Sequence, residues 1–337
     1  MKPVALYYRM LKYQPENLAL LEKEFALEVL DTPAQDSPEQ LARVEVLFAP
    51  LGYMVDRAKI DGCPKLKAIV SNTTGHPHID VEYARSKGVY VACLKFAQEF
   101  LGSITPTAEL TWGLIIALTR NLWPACRSVL AGQWDRRPFG SPAMLSRLSL
   151  GIIGHGRLGT LVARYGRAFG MTVRYYDPYV ASSSEGAVRL ESLPALMAQS
   201  DVVTLHVPHE KETEGMISRE LLAGFRPGSY LINTSRGELL DWGALLEALQ
   251  SGHLAGAALD VFEGEFVPGF GDRFPDHPVL RYAREHDNLL LTPHIGGSTV
   301  DAWRLTEGHA IEMALAHLRA TGRLAAAETS TSEAIRP

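Results

Sequence analysis

At 337 residues the chain is long enough for two domains, and with 46% hydrophobic residues it can bury sizeable cores. A formal net charge of -5 is mild and gives no support for nucleic acid or an anionic membrane as a partner. Cys63, Cys93 and Cys126 lie far apart and form no CxxC pair, a pattern that suits free, buried thiols in a reducing cytosol. The start, Met1 to Tyr8, lacks the apolar core and cleavage site of a signal peptide and reads as a strand. The most apolar helical segment, Ala108 to Leu118, is far shorter than the ~20 residues a membrane span needs. A cytoplasmic protein is expected.

In chain order, Val4 to Tyr8 is a first strand, Glu16 to Phe25 a helix with one apolar face, and Ala26 to Leu30 a second strand. Strands follow at Val44 to Phe48, Leu66 to Ser71 and Val89 to Ala92, with a helix at Val81 to Lys87. Strands alternating with helices imply a parallel sheet covered on both faces. The residues before about Phe100 therefore form a small α/β domain. After the Leu66 strand comes Asn72-Thr-Thr-Gly-His-Pro-His-Ile-Asp80. Ligands of open parallel sheets bind beyond the carboxyl ends of strands, so backbone N–H groups near Thr73 to Gly75 suit a small carboxylate. His76 and His78 have no third ligand at sensible spacing and read as surface or supporting histidines, not metal ligands.

Thr107 to Leu122 is an almost wholly apolar helix, which needs cover on all sides. Burial in the core and a place across a subunit interface, together with Trp123 and Trp134, both satisfy that need. Leu150 to Ile153 is a buried strand that runs into Gly154-x-Gly156-x-x-Gly159 and then a helix, Arg157 to Phe169. This is the context of the dinucleotide fingerprint. Gly154 allows a tight turn, Gly156 lets a pyrophosphate approach the backbone, and Gly159 lets helix and strand pack closely. The next strand, Thr172 to Asp177, ends in an acid. An acid there receives the adenosine ribose hydroxyls and repels a 2′-phosphate, so NAD is expected over NADP.

Further strands are expected at Val202 to Val207, Tyr230 to Asn233, Gly256 to Phe262 and Leu289 to Thr292, with helices at Glu191 to Gln199, Ala244 to Gln250 and Ala302 to Arg319. Asp241 is a good N-cap and Gly252 a good residue just past the helix end. The strand ends carry His206, Arg236, Asp260 and His294, all converging on the dinucleotide groove. Ala325 to Pro337 is small, polar and aperiodic, an expected frayed tail. There is no internal repeat or coiled coil.

The chain resembles the D-isomer-specific 2-hydroxyacid dehydrogenases. The matching segments are Gly151-Ile-Ile-Gly-His-Gly-Arg-Leu-Gly159, Tyr176-Asp-Pro178, Leu205-His-Val-Pro208, Ile232-Asn-Thr-Ser-Arg-Gly-Glu-Leu239, Ala257-Ala-Leu-Asp-Val-Phe-Glu-Gly-Glu265 and Leu291-Thr-Pro-His-Ile-Gly-Gly297. The resemblance implies an α/β fold of two parallel-sheet domains, Rossmann-like and flavodoxin-like, with a cleft between them. Residues 101–293 would be the NAD-binding domain, and 1–100 plus 294–337 the discontinuous substrate domain. It implies a homodimer built through the cofactor domains and a small 2-keto or 2-hydroxy acid as substrate.

The resemblance also implies site residues. Arg236 binds the substrate carboxylate, and His294 is general acid or base, paired with Glu265. Those types suit the chemistry. A guanidinium grips a planar carboxylate through two parallel hydrogen bonds. An imidazole donates a proton as charge grows on the keto oxygen, and a neighbouring carboxylate orients it and favours its charged form. Expected cofactor contacts are Gly154, Gly156, Arg157, Leu158, Gly159, Asp177, His206, Val207, Pro208, Thr213, Thr234, Ser235, Arg236, Asp260, His294 and Gly296. Expected substrate contacts are Thr74, Gly75, Arg236 and His294, and no metal is expected.

Departures from the family pattern fall at the Thr73 to His78 loop, at His209 and Glu210, and after Glu265. There Phe266 replaces the usual proline and a longer loop, Val267 to Pro278, intervenes. With no regulatory domain following, the long form of phosphoglycerate dehydrogenase is not expected, and the intact Arg/Glu/His set argues against formate dehydrogenase. The other reading of the same motifs is a dinucleotide-sensing binding protein, like the family's corepressor branch.

Overall fold

The computed structural model describes residues 2–76, 78–267 and 269–324. The tail expected at 325–337 lies outside the described residues, as do Pro77 and Pro268 within the two departing loops. The chain divides into two compact units. One takes the N-terminal residues through Leu101 together with the chain from Thr299 on, and the other is Gly102–Ser298.

The first unit holds a five-stranded parallel sheet: β1 (Val4–Tyr8), β2 (Ala26–Leu30), β3 (Val46–Phe48), β4 (Ala68–Ser71) and β5 (Tyr90–Cys93), in the order β2-β1-β3-β4-β5. The central strands are short apolar runs because both their faces are covered. The edge strand β2, in contrast, has no buried residue. Leu6, Leu47, Ile60, Ile69 and Val91 fill the core. The last helix, Val300–Ala320, closes this unit. Its buried Glu307 accepts from the Gln14 backbone N–H (2.7 Å) and from Asn17 Nδ2 (2.9 Å), and His317 stacks on Tyr90 at 4.3 Å. Burial raises the Glu307 carboxyl above its ordinary range.

The second unit holds seven parallel strands: β6 (Ser149–Ile153), β7 (Thr172–Tyr176), β8 (Val188–Arg189), β9 (Val202–Leu205), β10 (Ser229–Asn233), β11 (Leu254–Leu259) and β12 (Leu289–Leu291). Their order is β12-β11-β10-β9-β6-β7-β8. The chain winds outward from β6 in one direction, returns, and winds outward from β9 in the other. The switch point where a doubly wound sheet opens a ligand crevice is therefore at the carboxyl ends of β6 and β9. The helix Trp242–Gln250 starts at Asp241, whose Oδ1 accepts from Ala244 N at 2.9 Å, and stops before Gly252 at φ 72°.

The structure corrects several expectations. The apolar helix spans Pro106–Thr119 and ends there, because Asn121 turns left-handed (φ 52°) and a new helix, Leu122–Leu130, begins. Ala108, Trp112, Ile115 and Leu118 of the first helix are buried in the core of this unit. By length and composition the 21-residue stretch Glu99–Thr119 is enough to cross a membrane, longer than the segment read from sequence. The turn at Gly102–Thr105 interrupts it. The second helix has no buried residue, and Leu130 and Trp134 are 88% and 90% exposed. Cys126 on that helix is exposed, unlike Cys63 and Cys93. Of the two readings offered for His78, the supporting one holds: it is buried and meets Ser71. The stretch after Glu265 is not one open loop: it winds into short helical turns at Phe270–Arg273 and Phe274–Asp276 and a helix at Pro278–Glu285.

Candidate active site

The three glycines after β6 behave differently, and each behaviour has a steric cause. Gly154 sits at φ 85°, and a Cβ there would lie 2.6 Å from the His206 carbonyl oxygen, so the β6 and β9 loops touch only because it is glycine. A Cβ on Gly159 would lie 2.1 Å from Gly154 O, so helix and turn are in backbone contact. Gly156, in contrast, faces open space with nothing within 4 Å of a built Cβ. It caps the helix Arg157–Ala168, whose first-turn N–H groups, including those of Leu158 and Gly159, have no intrahelical partner. An open cradle at a helix's positive end fits a dinucleotide pyrophosphate.

Asp177, just past β7, is buried and already engaged. Its Oδ2 accepts from His155 N (2.8 Å), and its Oδ1 from Tyr179 N (2.7 Å) and Val180 N (3.0 Å). His155, between the first two glycines, is a residue that sequence reasoning passed over. Its ring stacks on Tyr175 at 4.1 Å, and its Nε2 meets Ser183 Oγ at 2.8 Å. The middle position of the fingerprint is free to vary, so no motif marks it.

The other expected cofactor contacts line the carboxyl ends of β9 to β12, but several of their side chains are spent internally. His206 Nε2 meets Thr204 Oγ1 (3.0 Å), its Nδ1 is buried without a partner, and burial pushes its ring down to about 3. Val207 and Pro208 follow it at the strand end. Thr213 folds back to donate to Pro208 O (2.8 Å) and accepts from Glu210 N (2.9 Å), holding the turn that contains His209. Thr234 Oγ1 meets Thr111 Oγ1 at 2.9 Å, and Ser235 Oγ donates to Leu205 O at 2.7 Å. These positions offer a cofactor mainly backbone and shape.

The acid–base end is tightly built. His294 Nδ1 and Glu265 Oε1 are 2.8 Å apart. Facing a carboxylate, Nδ1 carries the proton, which leaves Nε2 for chemistry. His294 is held at φ 53°, a left-handed conformation uncommon for a side chain of this size. Asp260 explains why it persists. Its backbone carbonyl accepts from His294 N (2.8 Å), while its carboxylate accepts from Thr292 Oγ1 (2.6 Å), Ile295 N (2.9 Å) and Gly296 N (2.7 Å). Asp260, expected as a cofactor contact, thus clamps both sides of His294.

Arg236 follows β10. Its NH1 donates to Ser235 O (2.6 Å), and Asn233 holds the turn by donating to Arg236 O (2.8 Å) and accepting from Ser235 N (2.9 Å). The Arg236 and Glu265 turns are locked together. A Cβ on Gly237 would fall 2.1 Å from the Phe262 carbonyl carbon, and Glu238 Oε1 accepts from Gly264 N at 3.0 Å. The structure thereby ties the turns bearing Arg236, Glu265 and His294 to one sheet edge. Asn233, Gly237 and Glu238 were not foreseen as supports, although all three lie inside the motif quoted for the resemblance.

Thr74 and Gly75 lie in the first unit, in the loop after β4. Thr73 Oγ1 donates to Gly75 O (2.5 Å) and meets Ser71 Oγ (2.8 Å), which in turn meets His78 Nε2 (3.3 Å). Burial pushes the His78 ring down to about 4. Among the described residues no group of three His, Cys, Asp or Glu side chains is placed to hold a metal.

The chain is similar to several known proteins. The family model described as D-isomer specific 2-hydroxyacid dehydrogenase, NAD binding domain, matches residues 112–296. A glyoxylate reductase of Thermofilum pendens is 36% identical over 265 residues, 77% of this chain and 74% of that protein. A D-3-phosphoglycerate dehydrogenase of Bacillus subtilis is 33% identical over 285 residues, 84% of this chain but 51% of the relative. Among solved structures, D-lactate dehydrogenase from Aquifex aeolicus, complexed with NAD and lactic acid, matches with a TM-score of 0.80 at 28% identity, over 97% of this chain and all of that one.

Proposed function

The chain belongs to the D-isomer-specific 2-hydroxyacid dehydrogenase family, and from that premise we propose that Arg236, Glu265 and His294 carry its interconversion of a D-2-hydroxy acid and the matching 2-keto acid. It is an NAD-dependent enzyme of that class. The observation that supports the triad best is the 2.8 Å contact between His294 Nδ1 and Glu265 Oε1, made by a histidine clamped in a left-handed conformation.

When bound, NADH would supply the hydride to the keto carbon. The residues of the chain position the acid and manage its proton. Arg236 binds the carboxylate through its planar fork. Holding the carboxylate fixes the keto carbon, which turns a bimolecular encounter into a positioned reaction. His294 Nε2 gives its proton to the keto oxygen in reduction and takes it from the hydroxyl in oxidation. Glu265 keeps the proton on Nδ1 and offsets the charge that the ring carries before it donates.

NADH is proposed over NADPH because a 2′-phosphate would sit against the Asp177 carboxylate, which is buried and fixed by three backbone N–H groups. A homodimer through the second unit is proposed on the exposed apolar side chains of Leu122, Trp123, Leu130 and Trp134. A cytoplasmic location is proposed on the two buried free cysteines. The dinucleotide-sensor reading is not favoured, since a sensor has no use for a clamped acid–base pair.

The test is loss of NADH absorbance with purified protein against pyruvate, glyoxylate, hydroxypyruvate, phenylpyruvate, 2-ketoisocaproate and a phosphorylated 2-keto acid. Turnover on at least one, abolished in His294→Ala, is expected. NADH binding without turnover on any would return the chain to the sensor class.

A further inference from the structure

Phe266 follows Glu265 directly, so fixing the carboxylate against His294 also fixes where the next side chain emerges. Its ring lies 5.4 Å from the imidazole, centroid to centroid, at an interplanar angle of 56°. The neighbouring aromatic residues have found partners in the interior. Phe262 packs on Trp242 (4.3 Å), Phe270 (5.7 Å) and Phe274 (5.0 Å), and these rings anchor the helical turns that follow. Phe266 stands outside that cluster. It is 38% exposed, and Val267 beside it is 53% exposed. A large apolar side chain is thus left open to solvent next to the acid–base imidazole.

Exposed apolar area at a reacting centre gains free energy when a ligand covers it. His294 Nδ1 is spent on Glu265, so a keto oxygen must approach Nε2, to about 2.6–3.2 Å. The substituent on the keto carbon then begins two bonds from that oxygen. It lies within reach of an aromatic ring that itself packs on the imidazole. A phenyl ring offers such a substituent dispersion and desolvation but neither a hydrogen bond nor a countercharge.

Resting on the dehydrogenase reading above, we infer that Phe266 is a specificity-determining residue that selects 2-keto acids with apolar side chains, aromatic or branched. It works against glyoxylate, whose substituent is a hydrogen atom. It equally works against hydroxylated or phosphorylated acids, which would lose hydration against the ring and gain no partner. In apolar pockets one methylene is worth about 10- to 200-fold in kcat/KM, so a ring-sized change in the wall should be readily measured.

The experiment compares kcat/KM, with saturating NADH, for phenylpyruvate, 2-ketoisocaproate, pyruvate and glyoxylate in the wild type, Phe266→Ala and Phe266→Leu. Wild type should favour the two large apolar acids. Phe266→Ala should lose about 10-fold or more on phenylpyruvate while changing less than about 3-fold on glyoxylate, with Phe266→Leu between. The pH profile of kcat on glyoxylate should stay where it is. An unchanged preference in Phe266→Ala would overturn the proposal alone. So would an equal loss on every acid with a displaced pH profile, since that describes a residue that only positions His294. Turnover on none of the acids by the wild type would overturn the dehydrogenase reading and this inference with it.

Discussion

His294 shows what one residue's surroundings can impose. A left-handed backbone, an Nδ1 partner and the Asp260 clamp leave the ring little freedom, so its loss should be felt in chemistry rather than in binding. His294→Ala should bind NADH normally, by fluorescence titration, and lose about 10²- to 10⁴-fold in kcat. Near-wild-type turnover would remove His294 from the role assigned. Arg236→Ala should likewise bind NADH and lose about 100-fold in kcat/KM through misplacement of the acid. Asp177→Ala should raise the efficiency with NADPH relative to NADH, and a constant ratio would refute its part in selection.

A fourth outcome concerns pH. The His206 and His78 rings are pushed down to about 3 and about 4 by burial, from an ordinary value near 6.5. Above pH ~6.5 both rings are neutral whether the chain is folded or not, and they add no pH dependence. As pH falls below that, only the unfolded chain takes up the protons. Stability should drop by roughly 1.4 kcal/mol per pH unit per histidine until the folded values are reached. Urea unfolding of His78→Asn between pH 6.5 and 4.5 should show a shallower decline than wild type, and equal slopes would count against His78. At this scale the sequence was only partly legible. It marked Arg236, Glu265 and His294 by their motifs. It could not show that Asp177, Asp260 and Thr213 spend their oxygens on neighbouring turns, because all but one of the partners described, Thr292 Oγ1, are backbone groups without sequence identity.

Among the elements, strands declare themselves and turns do not. β1 was legible to the residue and the other core strands to within a few, since a run buried on both faces is a continuous apolar word; the edge strand β2 was legible to the residue as well. The helix Leu122–Leu130 escaped because its apolar residues continue the preceding helix without a break in composition, and only the left-handed Asn121 separates them. The helix Pro278–Glu285 was hidden behind prolines and aromatics that look like loop. The contact between the Arg236 and Glu265 turns also belongs to this scale. Gly237→Ala places a methyl 2.1 Å from the Phe262 carbonyl carbon, in backbone that has no flexible end to yield. It should cost about 1–3 kcal/mol of stability in denaturant unfolding and lower kcat by parting the two turns. A fully active, equally stable Gly237→Ala would mean the turns are not coupled.

At the scale of the whole molecule, alternation of strand and helix implied parallel sheets and the family resemblance implied two such units, while the strand order within each became visible only in the structure. The resemblance implied a homodimer through the cofactor domains, and the exposed side chains on Leu122–Leu130 and at Trp134 are the surface proposed for it. Light scattering should give twice the mass of one chain for wild type and the single mass for Leu130→Asp combined with Trp134→Asp. A wild-type monomer would sink the proposed interface.

The route of the chain also sets a timetable. The second unit is one uninterrupted stretch, while the first needs the helix Val300–Ala320, whose Glu307 and His317 complete it from the far end of the sequence. On the ribosome, where segments emerge in order, the inserted unit can finish folding while its host still waits for that helix. For some seconds of every synthesis, at ~5–20 residues added per second, the nascent first sheet carries an uncovered apolar face. That interval is when chaperones have reason to attend this protein. A stop codon placed just before Thr299 would make the interval permanent for one unit and leave the other whole.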